Sequence, residues 1–308
     1  MINGRSNPAK YTEMSQLPQQ MVLFEHWDRA AEEEAGDERN RVAVGGESDD
    51  MLIPFAFEET LCRDVGQGLV PPSIHLWSHQ GGVALGLRDS KLPYAGVAMR
   101  RLEEQGIRTA VRHSGGAAVP LDEGVINLSL ILPKTRGKLD FHDDFRLMAS
   151  LITEAVAISH PLAAAQIKAG EITHSYCPGD FDLAIGGRKF CGIAQRRQSH
   201  AYFVHAFIVV SGSGQQRGEL IRRFYQDAAC GEVGLSYPDV WPETIAGLQE
   251  LGGPDTTEVF ASALQQVLTN RGIHVKSAAV LTKETGYTLG YKDIRVLEAA
   301  QKLRERYA

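Results

Sequence analysis

One stretch of the chain, residues 174–197, combines a chain-breaking dipeptide, a cysteine and the pattern of a β-hairpin. Cys177 stands directly before a Pro-Gly pair, which disfavours both a helix and a central strand. Polar and apolar residues alternate over 182–185, and Gly186-Gly187 then predicts a two-residue turn into a second strand over 189–194. The stretch therefore places a thiol in a loop beside a hairpin and demands a fold with antiparallel strands.

The same stretch carries groups that could activate the thiol, namely Arg188 and Lys189 in the hairpin and His174 three residues before Cys177. A free thiol with a pKa of ~8.5 is only a few per cent thiolate at neutral pH, so a neighbouring cation raises its reactivity. The pattern alone leaves the alternatives open. Cysteine is often buried and inert, and Lys189 could be an ordinary solvated hairpin lysine.

The rest of the chain predicts hairpin strands mixed with helices. The predicted helices cover 52–62, 94–105, 142–158, 219–229, 255–270 and 294–307, and the predicted strands cover 73–79, 83–87, 109–111, 125–132, 201–210 and 275–281. The Gln-Gly-Gly between the first two strand segments favours pairing them as a hairpin. This order indicates an α+β fold, with a polar, mobile segment over 1–50 that contains a possible short strand, and a single domain over 51–308.

A second segment with a functional pattern follows the predicted strand over 109–111. Arg112 is succeeded by His-Ser-Gly-Gly, and the two glycines would let a ligand approach the backbone closely. An ordinary glycine turn explains the segment equally well. Neither a P-loop nor a dinucleotide-binding glycine motif is present in the sequence.

Composition excludes several classes of partner and site. The net charge of −6 argues against nucleic acid or an anionic membrane as a partner, and no apolar run reaches the ~20 residues that span a bilayer. The four cysteines are widely spaced, and a zinc site built from His174, Cys177, Cys191 and His200 lacks two tight ligand pairs. Free thiols in a reducing cytoplasm are therefore expected.

Two motifs carry a resemblance to a known superfamily. Residues 111–130 (V-R-H-S-G-G-A-A-V-P-L-D-E-G-V-I-N-L-S-L) resemble the signature of the biotin/lipoate protein ligases. Residues 175–179 (S-Y-C-P-G) and 182–197 resemble the lipoyl-relay amidotransferases of that superfamily. The resemblance runs from Pro54 to the C-terminus and implies a biotin/lipoate protein ligase-like α+β fold, with a mixed, largely antiparallel sheet and packed helices.

The resemblance also implies an activity. Such enzymes move an octanoyl or lipoyl group from a lysine of the glycine cleavage system H protein to a lysine of the lipoyl domains of 2-oxoacid dehydrogenase E2 subunits. They pass through a cysteine thioester and need no ATP or metal. By resemblance, Cys177 is the nucleophile and Lys189 the active-site lysine. The residues that match the acyl-binding loop are Arg112, Ser114, Gly115, Gly116 and Ala117.

Departures from the ATP-dependent ligases favour acyl transfer over adenylation. Ala117 stands where those ligases carry a third glycine, Pro120-Leu-Asp122 replaces a nearby His-Asp step, and the ligases need no cysteine at position 177. Three alternatives remain. They are an octanoyltransferase that loads the H protein from acyl carrier protein, an ATP-dependent lipoate–protein ligase, and a non-catalytic protein that binds lipoyl domains.

Overall fold

A computed structural model of the chain describes residues 17–26, 50–113, 115–134 and 141–307. Eleven strands and eight α-helices are defined within these ranges. The α+β class predicted from the sequence is confirmed, because strands of two sheets alternate irregularly with helices rather than in a βαβ series.

The large sheet has eight strands, in the spatial order β11-β1-β2-β6-β10-β9-β8-β7. Its strands in chain order are β1 (Gln20–His26), β2 (Ser73–Trp77), β6 (Val125–Pro133), β7 (Lys168–Ala169), β8 (Leu183–Ile185), β9 (Arg188–Arg197), β10 (Ala201–Val209) and β11 (His274–Ser277). Strand β1 pairs in parallel with β2 and β11, and every other neighbouring pair is antiparallel. The sheet is therefore mixed and largely antiparallel, as predicted.

A smaller sheet of three strands has the order β4-β3-β5. Its strands are β3 (Gly82–Leu85), β4 (Arg108–Val111) and β5 (Val119–Leu121). The predicted hairpin between 73–79 and 83–87 is wrong, because β2 and β3 belong to different sheets. Both edges of β2 are already paired, with β1 on one side and β6 on the other, so β3 pairs with β4 and β5 instead.

The helices cover both faces of the large sheet. They are α1 (Leu52–Gly66), α2 (Ala95–Glu104), α3 (Phe141–Ser159), α4 (Pro161–Ala164), α5 (Gly214–Ala229), α6 (Thr257–Asn270), α7 (Ala278–Thr285) and α8 (Ile294–Tyr307). Phe203 and Val209 of β10 pack into the core shared with α1 and the small sheet, whereas Val204 and Ile208 pack into the core shared with α3 and α6. The central strand β6 is long and apolar because both of its faces are buried.

Most predicted elements recur with shifted ends, and one changes type. The strand predicted over 275–281 ends at Ser277, whose hydroxyl accepts a hydrogen bond from the Val280 N–H and so begins α7. The helix predicted from residue 219 begins earlier, after Ser213, whose hydroxyl caps the Gln216 N–H. Within the described residues, no helix combines the length and apolar character that crossing a membrane requires.

The N-terminal strand is an integral part of the large sheet. Val22 of β1 lies opposite Ser73 of β2 and Lys276 of β11, so this strand joins distant parts of the chain. The possible short strand predicted within the first fifty residues is thus present at 20–26. The remainder of the segment predicted to be polar and mobile, residues 1–16 and 27–49, lies outside the described residues.

The predicted hairpin over 182–194 is formed by β8 and β9. Gly186 and Gly187 have φ values of 59° and 77°, the left-handed conformations that a tight hairpin turn needs and that glycine adopts at least cost. Ile185 consequently pairs with Arg188, and Lys189 occupies the start of β9. The turn residues therefore determine where the side chain of Lys189 enters the fold.

An ionic network ties the segment after β4 to the large sheet. The Glu59 carboxylate of α1 accepts hydrogen bonds from His113 Nε2 at 2.6 Å, from Arg196 Nε and from Gln198 Nε2 at 3.0 Å. Burial opposes ionisation of this carboxyl, but the hydrogen bonds from His113 and Arg196 and their charges outweigh burial and lower the pKa of Glu59 to about 2.

We expect Ile152→Ala to lower the free energy of unfolding by roughly 2–5 kcal/mol, because Ile152 is fully buried between α3 and the large sheet and truncation leaves a cavity. Leu162→Ala is the matched control. Leu162 is 83% exposed, so its truncation should change stability by no more than about 0.5 kcal/mol. Urea denaturation of both variants measures the difference, and equal losses would contradict the described packing.

Replacing Glu59 with Gln should destabilise the protein by roughly 1–3 kcal/mol at neutral pH, because the amide keeps an acceptor oxygen but loses the negative charge that faces Arg196. The folded-state pKa of Glu59 is depressed to about 2. The stabilisation is therefore present above the unfolded-state pKa of roughly 4.3 and is lost as the pH falls towards the folded-state pKa. Melting temperatures of wild type and variant should approach each other as the pH falls from about 5 to about 2; a constant difference would contradict the ionic role.

Candidate active site

Cys177 lies in the loop before β8 with its backbone in the left-handed region, at a φ of 46°. Its side chain is half-buried, and its Sγ accepts a hydrogen bond from the Ala117 N–H at 3.2 Å. The Nη2 atom of Arg112 lies 3.6 Å from the same sulfur. A non-glycine residue with positive φ is uncommon and persists only where its surroundings hold it in place.

The second of the two glycines that follow the small sheet's β4 makes room for this sulfur. Gly116 has a φ of 97°, and a Cβ at this position would lie 2.7 Å from Cys177 Sγ. On the other side of the segment, a Cβ on Gly86 would lie 2.1 Å from the Gly116 carbonyl oxygen. Only residues without a side chain let these three backbone segments meet at the thiol.

Lys189 is fully buried beneath the cysteine loop. Its Nζ atom lies 2.8 Å from Asp182 Oδ2 and donates to the carbonyl oxygens of Tyr176 at 2.9 Å and Cys177 at 2.6 Å. Burial raises the pKa of Asp182, and the charge of Lys189 opposes that rise. The alternative of a solvated hairpin lysine is therefore wrong.

Asp182 was not among the predicted site residues. In the sequence it reads as one polar position of an alternating strand, yet it is 1% exposed and also accepts the Gly179 N–H at 3.1 Å. The loop that presents Cys177 is therefore held at both ends by one buried ion pair.

The guanidinium of Arg112 organises the opposite side of the sulfur. Nη1 donates to the Gly115 carbonyl at 2.7 Å, and Nη2 donates to the Ala117 carbonyl at 2.8 Å. These bonds wrap the glycine segment around the guanidinium and orient the Ala117 N–H towards Cys177. Ser114, predicted with this group, lies outside the described residues.

A buried tyrosine anchors the same segment from α5. The Tyr225 hydroxyl accepts the Ala118 N–H at 3.1 Å and donates to Asp89 Oδ1 at 2.9 Å, and Asp89 Oδ2 accepts the Gly86 N–H at 2.7 Å. Burial raises the pKa of both Tyr225 and Asp89. No local pattern in the sequence pointed to this pair, because its members are far apart in the chain.

A cavity of about 280 Å³ runs from Cys177 between the two sheets. Its lining is predominantly apolar; the apolar side chains are Phe55, Ala84, Val119, Leu121, Phe145, Ile193, Ala194 and Phe207. Gly192 makes room for the aromatic ring of Phe207, because a Cβ there would lie 2.5 Å from that ring. The volume lies just below the roughly 300–1,000 Å³ of small-molecule pockets, and the apolar lining suits a small apolar group.

Besides Cys177, four polar side chains interrupt the apolar lining of this cavity: Arg112, Asn127, Gln195 and His205. Burial lowers the pKa of His205 to about 4, although the nearby Glu58 carboxyl opposes this shift. Glu58 itself is fully buried and accepts hydrogen bonds from Ser129, Trp77 and His75. At neutral pH the wall of the cavity near His205 therefore carries an uncharged imidazole.

Two residues considered for the chemistry are engaged elsewhere. The ring of His174 stacks on Trp241 with centroids 3.8 Å apart, and its Nδ1 lies 3.2 Å from Asp239 Oδ2. These contacts give no support to His174 as a base for Cys177. Cys191 is fully buried, and burial raises its pKa well above the ordinary value, which makes it an inert thiol. The part of the chain that the structure describes contains no cluster of three potential metal ligands.

Comparison with known proteins identifies the relatives of this chain. The lipoyl protein ligase A/B catalytic domain family matches residues 50–271. An octanoyl-[GcvH]:protein N-octanoyltransferase of Anoxybacillus flavithermus is 45% identical over 213 residues, which cover 69% of this chain and 75% of the relative. The enzyme of the same name from Lysinibacillus sphaericus is 39% identical and covers 83% of this chain and 91% of the relative. A lipoyl-[GcvH]:protein N-lipoyltransferase of Listeria monocytogenes is 38% identical and covers 66% and 72%.

Solved structures share the fold at lower identity. Lipoate-protein ligase A bound with ATP superposes with a TM-score of 0.60 at 18% identity, covering 94% of this chain and 96% of the ligase. A bipartite lipoate protein ligase of Thermoplasma acidophilum gives a TM-score of 0.58 at 16% identity, covering 95% and 94%. These similarities confirm the expected lipoate ligase fold. The chain belongs to the lipoyl protein ligase A/B catalytic domain family and, within it, to the group that contains the protein N-octanoyltransferases.

Proposed function

We propose that this chain is an acyltransferase that moves an octanoyl or lipoyl group between protein lysines through a thioester on Cys177. The donor is the H protein of the glycine cleavage system, and the acceptor is a lipoyl domain of an E2 subunit. One observation carries the proposal: Cys177 is one of the residues that line a predominantly apolar cavity, and its Sγ accepts the Ala117 N–H. The names of the relatives support the cargo and the donor.

The reaction divides into two steps that share one intermediate. The sulfur attacks the carbonyl carbon of the acyl-lysine amide, the C–S bond forms, and the C–N bond breaks as the donor amine takes up a proton. The amine of the acceptor lysine then attacks the thioester, a new C–N bond forms, and the thiol is restored. Because one amide replaces an equivalent amide, the sum is close to thermoneutral, and we propose that neither ATP nor a metal takes part.

The geometry of the site supports separate roles in this mechanism for the cavity, the Ala117 N–H and Lys189. The aliphatic tail of the acyl group fits the apolar cavity, while the scissile carbonyl stays at Cys177. The Ala117 N–H, 3.2 Å from the sulfur, is placed to donate to the oxyanion that develops on the attacked carbonyl. We propose that Lys189 contributes by holding the carbonyl of Cys177 and thereby the conformation of the loop. The four cysteines are free thiols, which supports a reducing cytoplasm as the site of action.

Intact-protein mass spectrometry after mixing with octanoylated H protein, without ATP, tests the thioester. We expect one octanoyl adduct on wild type and none on Cys177→Ala, because the adduct requires the sulfur. Cys230→Asn is the matched control; Cys230 is exposed at the end of α5 with a φ of 49°, a conformation that Asn tolerates, and this variant should keep the adduct.

Two other outcomes of the same experiment would replace the proposal. An adduct formed only from octanoyl-acyl carrier protein would identify the transferase that loads the H protein. Acceptor modification that requires ATP and survives Cys177→Ala would identify an ATP-dependent ligase. If none of the donors acylates the protein or its acceptors, a non-catalytic lipoyl-domain binder remains.

Replacing Lys189 with Ala should lower the free energy of unfolding by roughly 3–5 kcal/mol, because it leaves the Asp182 carboxyl buried without its partner. The rate of acyl transfer should also fall, since the Cys177 carbonyl oxygen loses its hydrogen-bond donor. The double variant Lys189→Met with Asp182→Asn should recover much of the stability, but not the transfer rate. Urea denaturation and single-turnover acylation measure the two effects; an Ala variant as stable as wild type would refute the buried pair.

A further inference from the structure

The Ala117 N–H must keep its direction while charge develops on the attacked carbonyl oxygen. It belongs to the peptide unit between Gly116 and Ala117, and it already reaches Cys177 Sγ at 3.2 Å. A donor stabilises an oxyanion best when its position is fixed before the reaction begins. The groups that fix this peptide unit therefore bear on the rate of acyl transfer.

The turn that follows β3 packs against the carbonyl side of this peptide unit. The Gly116 carbonyl oxygen approaches Gly86 so closely that a Cβ on Gly86 would lie 2.1 Å from it. Asp89 closes the turn, because its Oδ2 accepts the Gly86 N–H at 2.7 Å and its own N–H donates to the Gly86 carbonyl at 3.1 Å. The backbone on one side of Ala117 is thus braced by Asp89.

The next peptide unit, between Ala117 and Ala118, is held by Tyr225 of α5. The Ala118 N–H donates to the Tyr225 hydroxyl at 3.1 Å, and the hydroxyl donates its one hydrogen to Asp89 Oδ1 at 2.9 Å. All three residues are buried, so water does not compete for these bonds. The two oxygens of one carboxyl therefore brace the backbone on both sides of Ala117.

The hydroxyl of Tyr225 has the protonation state that this arrangement needs. Burial raises the pKa of Tyr225, so its hydroxyl keeps its hydrogen at neutral pH. Burial also raises the pKa of Asp89, while the hydrogen bonds from Gly86 and Tyr225 and the charge of Arg112 oppose that rise. The hydroxyl can accept from the Ala118 N–H and donate to Asp89 at the same time, and a phenyl ring at position 225 would offer neither bond.

The ring of Tyr225 is held in place as well. It stacks on Tyr237 with centroids 5.4 Å apart and an angle of 17° between the ring planes. Tyr237 lies in the segment after α5, and the same segment reaches the cysteine loop, because the Trp241 N–H donates to the His174 carbonyl at 2.8 Å. Helix α5 and the segment after it therefore connect the backbone around Ala117 to the loop that carries the thiol.

We propose that Tyr225 and Asp89 are positioning residues for acyl transfer, which together hold the Ala117 N–H where it stabilises the oxyanion on the attacked carbonyl. Neither is among the residues that line the cavity, so both act through the backbone on either side of Ala117. Their role rests on the proposed thioester chemistry, in which that oxyanion forms when the sulfur attacks the acyl-lysine amide.

Tyr225→Phe removes the hydroxyl and keeps the ring that stacks on Tyr237. We expect single-turnover acylation by octanoylated H protein to slow about 10- to 100-fold at saturating donor, because the oxyanion donor is no longer held in place. The donor concentration that gives half the maximal rate should change little, since donor binding does not use the oxyanion.

Tyr287→Phe is the matched control, because the Tyr287 hydroxyl also donates to a carboxylate, Asp64 Oδ2 at 2.7 Å. Urea denaturation should show a loss of stability in both variants, but Tyr287→Phe should acylate at the wild-type rate. Equal slowing in the two variants would mean that lost stability, and not positioning, lowers the rate.

Asp89→Asn tests whether the two residues act as a unit. The amide keeps an oxygen for the Tyr225 hydroxyl but cannot also accept the Gly86 N–H, so acylation should slow by a similar factor. In the double variant with Tyr225→Phe, the slowing should stay well below the product of the two single effects, because both act on the same stretch of backbone. Effects that multiply would overturn the shared role.

Hydrogen–deuterium exchange measures the hydrogen bond without an acyl donor. In Tyr225→Phe the Ala118 N–H loses its acceptor, so the peptide covering 115–121 should exchange faster than in wild type or in Tyr287→Phe. Wild-type exchange in Tyr225→Phe would contradict the hydrogen bond, and faster exchange with wild-type acylation would overturn the positioning role. A wild-type protein that takes up no octanoyl group would instead overturn the proposed function.

Discussion

The buried ion pair between Lys189 and Asp182 is the interaction on which the geometry of the site depends. Charges taken out of water need both a partner and hydrogen bonds, and Lys189 meets this need with one carboxylate and two carbonyl oxygens of the cysteine loop. A different backbone conformation at Cys177 would move these carbonyl oxygens away from the buried ammonium and leave it without hydrogen-bond acceptors. The hydrogen bonds of Lys189 therefore help to hold Cys177 at its left-handed φ.

A second set of anchors brings the opposing segment to the same point. The segment between β4 and β5 is fixed from within by Arg112, which donates to its own carbonyl oxygens, and from outside by Tyr225 of α5 with Asp89 and by Glu59 of α1 with His113. The small sheet and the large sheet thus close on the thiol from two sides. The cavity lies between them, so the tail of an acyl group and its reactive carbonyl are separated by the architecture itself.

The sequence predicted local features of this site better than its long-range contacts. The Gly186-Gly187 turn, the loop position of Cys177 and the helix over 294–307 follow from residue types and spacing, and all three are confirmed. The burial of Lys189 could not be predicted from the sequence, because its acceptors are backbone carbonyl oxygens, which every residue carries. The wrong β2–β3 hairpin has the same origin: a glycine turn favours pairing, but competition from β1 and β6 for the edges of β2 is a property of the whole sheet. Resemblance, and not spacing, supplied the roles assigned to Cys177 and Lys189.

The form of the cavity has a consequence for chemical intervention. A thiol that lines a small apolar cavity selects reagents by the size and polarity of their tail as well as by their reactivity, because bulky groups cannot enter a space of about 280 Å³. Cys62 and Cys191 are fully buried, and Cys230 lies on the surface and does not line this cavity. We therefore expect the length of a straight alkyl tail to change the labelling rate of Cys177 but not that of the exposed Cys230, while the buried Cys62 and Cys191 stay unlabelled. An electrophile with the tail length that labels Cys177 fastest would serve as an activity-based probe for counting functional sites in a cell extract.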